Sequence, residues 1–142
     1  MAKLRSQNVI AGTFGSVWVN DEEWLHVTKF EAKVTGEFED INMAGRYGVG
    51  KKYMGWTGEG TITVNKVNST VTKMLADAFK KGIMPEIKIV AKLADPQALG
   101  AERIEILEVT FSEFMLLNFE LKAKMEEEVP FTFEDYNLID TI

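Results

Sequence analysis

The sequence predicts a mainly β protein, two packed antiparallel sheets forming a β-sandwich or partial barrel, with one flanking α-helix and a long inter-strand loop. Three observations lead there. Trp24 to Glu39 holds a nearly unbroken strand pattern, far beyond the usual strand of about 5–6 residues. Further alternating runs follow around residues 58–64, 87–93 and 104–111, and one segment, about 69–81, has helical period. Length and composition fit a single domain over residues 1–142, with 46% hydrophobic residues and nine Phe to fill one core.

Gly15 to Val19 reads as a short strand, and the polar turn Asn20 to Glu23 gives a hairpin signal before the long strand begins. In the long strand Trp24, Thr28, Phe30, Ala32, Val34 and Phe38 share one face. Beyond Val27 the other face carries Lys29, Glu31, Lys33, Thr35, Glu37 and Glu39, the alternation of a sheet wet on one side. At about 3.3 Å per residue this strand spans roughly 50 Å, so it either bends across two sheets or belongs to a larger assembled surface. Periodicity then dissolves over residues 42–56, a glycine-bearing stretch that also holds Tyr47, Tyr53, Trp56, Met43 and Met54 and reads as the long loop. Alternation resumes at Gly58, where Thr61 and Thr63 oppose Ile62 and Val64.

The helix takes Asn68 or Ser69 as cap, places Val71, Leu75, Ala78 and Phe79 on one face, and ends with Lys80, Lys81 and Gly82. Ile87 to Leu93 alternates as a strand. In the strand after Gly100, Ile104 and Ile106 share a face but Leu107, Val109 and Phe111 share the other, which predicts a β-bulge or a passage between sheets near residue 106. Phe114 to Lys124 and Met125 to Tyr136 read as two last strands.

Net charge is −6, which argues against a general nucleic-acid binder. The charge is lopsided: residues 1–101 carry 13 basic and 11 acidic side chains, residues 102–142 carry 3 and 11. An acidic surface of that kind is either solvated or meets a basic surface on another copy. Without cysteine there is no disulfide, thiolate nucleophile or zinc-thiolate site, and an intracellular origin is favoured. Neither a secretion signal nor an apolar run of membrane-spanning length is present.

No motif demands catalysis. GRYGVGKK at 45–52 matches a phosphate loop up to Lys52, which stands where Ser or Thr is needed, and a strand-type segment rather than a helix follows it. His26 is the sole histidine and has no acidic or hydroxyl partner at a recognised spacing. The run Glu126 to Glu128 lacks metal-type spacing, and on a strand Glu127 points away from its neighbours. Trp18, Trp24 and Trp56 fill core or interface more readily than a ligand cavity. No cofactor or metal is expected.

Four segments carry a resemblance: GTFGSVWVN at 12–20, KFEAKV at 29–34, GWTGEGTITVNKVNS at 55–69 and EEEVPFTFEDYNL at 126–138. In order and spacing, from about residue 8 to 139, the chain resembles the tail tube protein family of contractile phages and PBSX-like defective prophages or tailocins. The resemblance implies a phage tail-tube fold and a non-enzymatic structural role. Hexameric rings would stack into an inner tube whose lumen conducts DNA, without specific binding, or holds the tape measure. Implied partners are other copies of the chain, the tail sheath, and the tape-measure, baseplate and tail-terminator proteins, with no membrane. Implied locations are the host bacterial cytoplasm during assembly and then the virion or tailocin tail tube. The tube protein of a related secretion machine would share fold and ring, a sheath or baseplate adaptor would assemble only with other tail proteins, and a lipocalin-type barrel would instead be a monomer with an apolar pocket.

On the ring reading, the polar face of the long strand, Lys29, Glu31, Lys33, Thr35 and Glu37, lines the lumen, where mixed charges hydrate the channel without gripping phosphates. The central segment supplies the contact to the next ring through Arg46, Tyr47, Lys51, Lys52, Tyr53 and Trp56. The matching acidic surface is expected from Glu126, Glu128 and Glu134, and the segment is expected to order only on stacking.

Overall fold

The computed structural model describes residues 5–12, 15–117 and 119–141. The strands are β1 (Gly15–Val19), β2 (Glu22–Glu23), β3 (Val27–Asn42), β4 (Val49–Asn65), β5 (Ile87–Leu93), β6 (Glu102–Phe111), β7 (Glu126–Phe133) and β8 (Asp135–Asp140), with α1 (Thr70–Lys81) between β4 and β5. All pairings are antiparallel, along the path β2-β1-β5-β6-β7-β4-β3, and β8 adds to β6. The path ends at β2 and β3, so the sheet does not close among the described residues.

Strand β6 folds this sheet into two leaves. Its first part lies between β5 and β8, whereas Thr110 and Phe111 pair with Thr132 and Phe131 of β7. Between the two parts Glu108 has φ +53°, and the β5 pairing slips from Ile89–Ile106 to Ile87–Val109. This is the bulge that the change of phase near residue 106 predicts. One leaf contributes Val17, Val19, Ile87, Ile89 and Ile106 to the core, and the other contributes Ile62, Val64, Val129, Phe131 and Phe133. Helix α1 adds Val71 and Leu75. Gly82 ends the helix in the left-handed conformation (φ +73°), and the Asn68 side chain accepts from the Thr70 backbone N–H at 3.1 Å.

Several sequence expectations are corrected. The long strand starts at Val27 rather than Trp24 and continues to Asn42; Trp24 is buried in the preceding turn. The hairpin at Asn20 and Asp21, with φ +50° and +68°, joins β1 only to the two residues of β2, and the full-length partner of β1 is β5. The long loop at 42–56 is strand for most of its length: β4 begins at Val49, and only Met43 to Gly48 connects it to β3. The reason is a second bulge. Glu37 pairs with Gly55 but Phe38 pairs with Tyr53, so the extra residue Met54 shifts the phase of β4 and hides its period. The described residues of 114–124 form no strand, and the last segment divides at Glu134 into β7 and β8.

Glu127 faces inward from β7, 6% exposed, and pairs with Lys66, while Glu126 and Glu128 are exposed. Lys66→Met strands that carboxylate next to the core, and the expected loss is about 3 kcal/mol, read from the urea midpoint at constant slope. Lys66→Arg restores most of it.

Candidate assembly surfaces

Residues opposite one another in an antiparallel pair point to the same side, so the register defines the faces. Lys29, Glu31, Lys33, Thr35 and Glu37 stand opposite Thr63, Thr61, Glu59, Thr57 and Gly55. Thr63, Thr61 and Glu59 in turn oppose Glu128, Pro130 and Thr132 of β7. The structure therefore brings the five predicted β3 residues together on one exposed face, which β4 and β7 continue with the same polar character. Its charges are locally satisfied: Lys33 lies 3.4 Å from Glu59, and the Thr57 hydroxyl donates to Glu37 at 2.7 Å. Glutamates outnumber lysines on this face.

The reverse of the same strands is apolar. Phe30, Ile62 and Val129 form one row, and Ala32, Gly60 and Phe131 form the next. Gly58 and Gly60 admit the rings of Phe133 and Phe131, which a Cβ at either position would overlap.

Beyond Gly58 no third strand pairs with β3 and β4 among the described residues. Their distal halves form a two-stranded arm in which residues 33–54 are all exposed. Of the three basic residues expected to seek a partner, Lys51 pairs with Asp40 within the arm, and Lys52 stands opposite Glu39 in register. Arg46 and Tyr47 sit at the tip, with Tyr47 fully exposed. Tyr53 packs edge-on against Phe38 at 5.5 Å while both remain more than half exposed. Trp56 belongs to the root of the arm, where it contacts Tyr136 at 5.4 Å and Phe133 at 6.0 Å. The three glutamates expected to face the arm do not form one cluster. Glu126 and Glu128 lie on the polar face and Glu134 at the bend between β7 and β8, all exposed.

Sequence reading missed one surface. Met115, Leu116, Leu117, Phe119 and Leu121 are exposed, the last by 86%, in the segment that it assigned to a strand. The signal was present as an apolar alternation, but a strand needs a neighbour, and none of the described residues supplies one.

The phosphate-loop match at 45–52 falls on the arm tip and the start of β4, so no helix N-terminus faces it. His26 stacks on Trp24 at 5.8 Å. Among the described residues no group of three or more metal-ligating side chains occurs, and no helix is long and apolar enough to cross a membrane.

A family model described as phage tail tube protein matches residues 2–140. The phage-like element PBSX protein XkdM of Bacillus subtilis (strain 168) is 36% identical over 137 residues, which covers 95% of this chain and 93% of that protein. Among solved structures, the tube-terminating cap of the anti-feeding prophage superposes with a TM-score of 0.78 over 99% of this chain and 97% of its own, at 8% identity. A chain from the sheath–tube complex of the PVC extracellular contractile injection system, in the extended state, gives 0.75 over 96% and 95%, also at 8% identity. At that identity the two structures bear on the fold alone.

Proposed function

This chain belongs to the phage tail tube protein family, and from that premise we propose that its subunits close into hexameric rings and stack as the inner tube of a contractile phage tail or tailocin. The family is structural, and the role is not enzymatic. The observation that carries the proposal is the two-faced β3–β4–β7 leaf. A polar, glutamate-rich face backed by an apolar core is what a wide barrel with an aqueous channel requires. The open edge at β3 gives each ring a place to continue the sheet from subunit to subunit.

Lys29, Glu31, Lys33, Thr35 and Glu37 then line the lumen. Excess carboxylate repels a polyanion, so DNA or the tape measure passes without being held. The arm reaches the adjacent ring through Tyr47, Tyr53 and Arg46, with its apolar groups supplying affinity and its charges setting polarity. Sheath, baseplate and terminator proteins complete the set of partners, and assembly takes place in the host cytoplasm before incorporation into the tail.

Accessibility tests the lumen. Because the chain lacks cysteine, a single Lys33→Cys or Thr35→Cys thiol is unique. The expected result is reaction with a small maleimide in both subunit and tube, and protection of at least about tenfold from a polymer-linked maleimide once tubes form. Unchanged reaction with the bulky reagent in verified tubes contradicts the assignment.

A further inference from the structure

The edge of β3, unpaired among the described residues, lies beside a cavity of about 500 Å³, bounded by Thr28 and Phe30 on one side, by Val17, Leu93 and Ile104 on the other, and by Gly12 and Gly15 at its margin. Trp24 also lines it. That residue is 3% exposed, and its indole Nε1–H has no acceptor among the described residues, an uncommon state for a buried donor. A free strand edge, an apolar cleft and an orphaned donor together describe a sheet that lacks one strand.

The segment Phe119 to Lys124 has complementary features. Phe119, Leu121 and Ala123 alternate with Glu120, Lys122 and Lys124, the pattern of a half-buried strand, yet the segment is irregular and Phe119 and Leu121 are 73% and 86% exposed. Lys122 is held at φ +63°, a left-handed conformation that is unfavourable for a non-glycine residue. Its intrachain backbone contacts are long, and water can take their place: the Ala123 N–H reaches the Glu120 carbonyl at 3.4 Å, and the Glu120 N–H reaches the Met125 sulfur at 3.3 Å.

Resting on the ring reading above, we infer that Phe119–Lys124 of one subunit enters the seam beside β3 of the next as a donated strand. Pairing with β3 satisfies both sets of backbone groups and releases the left-handed lysine. Phe119 and Leu121 fill the cavity, and an acceptor from the donated strand reaches Trp24 Nε1. Glu120, Lys122 and Lys124 then extend the polar face beside Lys29, Glu31 and Lys33, again with mixed charge. The geometry favours exchange between copies over self-insertion. The segment leads directly into β7, whose Met125 neighbour is fixed by the Lys66 N–H at 2.8 Å, and β4 stands between β7 and β3. The donor segment thus leads into β7 while the acceptor edge of β3 lies on the far side of β4, and a head-to-tail relation of this kind closes into rings.

The test mixes two chains, one carrying Lys122→Cys and the other Lys29→Cys, Glu31→Cys or Lys33→Cys, treats them with a short bis-maleimide, and follows assembly by electron microscopy. The expected result is a cross-linked heterodimer for at least one pairing, formed in rings and absent from dilute subunits. Leu121→Asp should leave the melting temperature of the subunit unchanged, because the side chain is solvated there, and raise the critical concentration for rings at least about tenfold. Rings that form without any of these cross-links, or a Leu121→Asp chain that assembles normally, overturn the inference and leave the tube reading intact. A wild-type chain that stays monomeric at every concentration removes both.

Discussion

A subunit whose arm is trimmed, with residues 39–52 replaced by an Asn-Gly turn joining Phe38 to Tyr53, is expected to fold normally and to build no tubes. Every residue removed is exposed, and Phe38 and Tyr53 are already paired across the hairpin, so a two-residue type I′ turn can close it. The melting temperature should therefore stay within a few degrees of the parent, a shift of about 1 kcal/mol or less. Assembly should suffer far more. Loss of the tip with Tyr47, Ile41 and Val49 removes solvent-facing apolar groups that nothing in the subunit covers. If two of them behave as ordinary hot spots, the critical concentration rises about 100-fold or more. Sedimentation of the pure protein against concentration reads this directly, and normal tube growth would assign the arm to another surface. In the full-length chain, exchange of arm amides should be fast in the subunit and slow in tubes.

Gly60→Val is expected to produce the largest loss of stability. A Cβ at Gly60 meets the Glu31 carbonyl oxygen, the Phe131 ring and, at 3.0 Å, the Ala32 Cα. Two of these are backbone atoms of the paired strand and cannot turn away. Overpacking costs about 1–3 kcal/mol where side chains can adjust, and more where they cannot, so a loss of about 3 kcal/mol or greater is expected against a total of about 5–15 kcal/mol. Gly58 provides the control. Its nearest obstacles are all atoms of the Phe133 ring, so Gly58→Ala should be rescued by Phe133→Leu, whereas Phe131→Leu should rescue Gly60→Ala only in part. Urea titration followed by tryptophan fluorescence measures both series.

Features that depend on local chemistry were legible in the sequence. The helix expected over about 69–81 spans Thr70–Lys81, because its cap, apolar face and terminal glycine lie within the segment itself. The change of phase near residue 106 is likewise written into adjacent residues and appears as the bulge at Glu108. The polar face of β3 follows from simple alternation, and the register extends it across β4 and β7. Two features were not legible. One inserted residue, Met54, offsets the alternation of β4, and with glycines on either side of it the arm resembles a loop. Phe114 to Lys124 fails for the opposite reason: it has strand character without a strand partner among the described residues, and alternation alone does not say whether a partner belongs to the same chain. The pairing of Lys51 with Asp40 is set by the hairpin, which brings residues apart in sequence side by side.

Electron microscopy of the pure protein, concentrated from dilute subunits, tests the central claim most directly. The account predicts rings of six subunits and stacked tubes, with a stain-filled lumen and the β3–β4–β7 face turned toward it. A folded chain that remains monomeric at every concentration, or one whose assemblies turn that face outward, would contradict it.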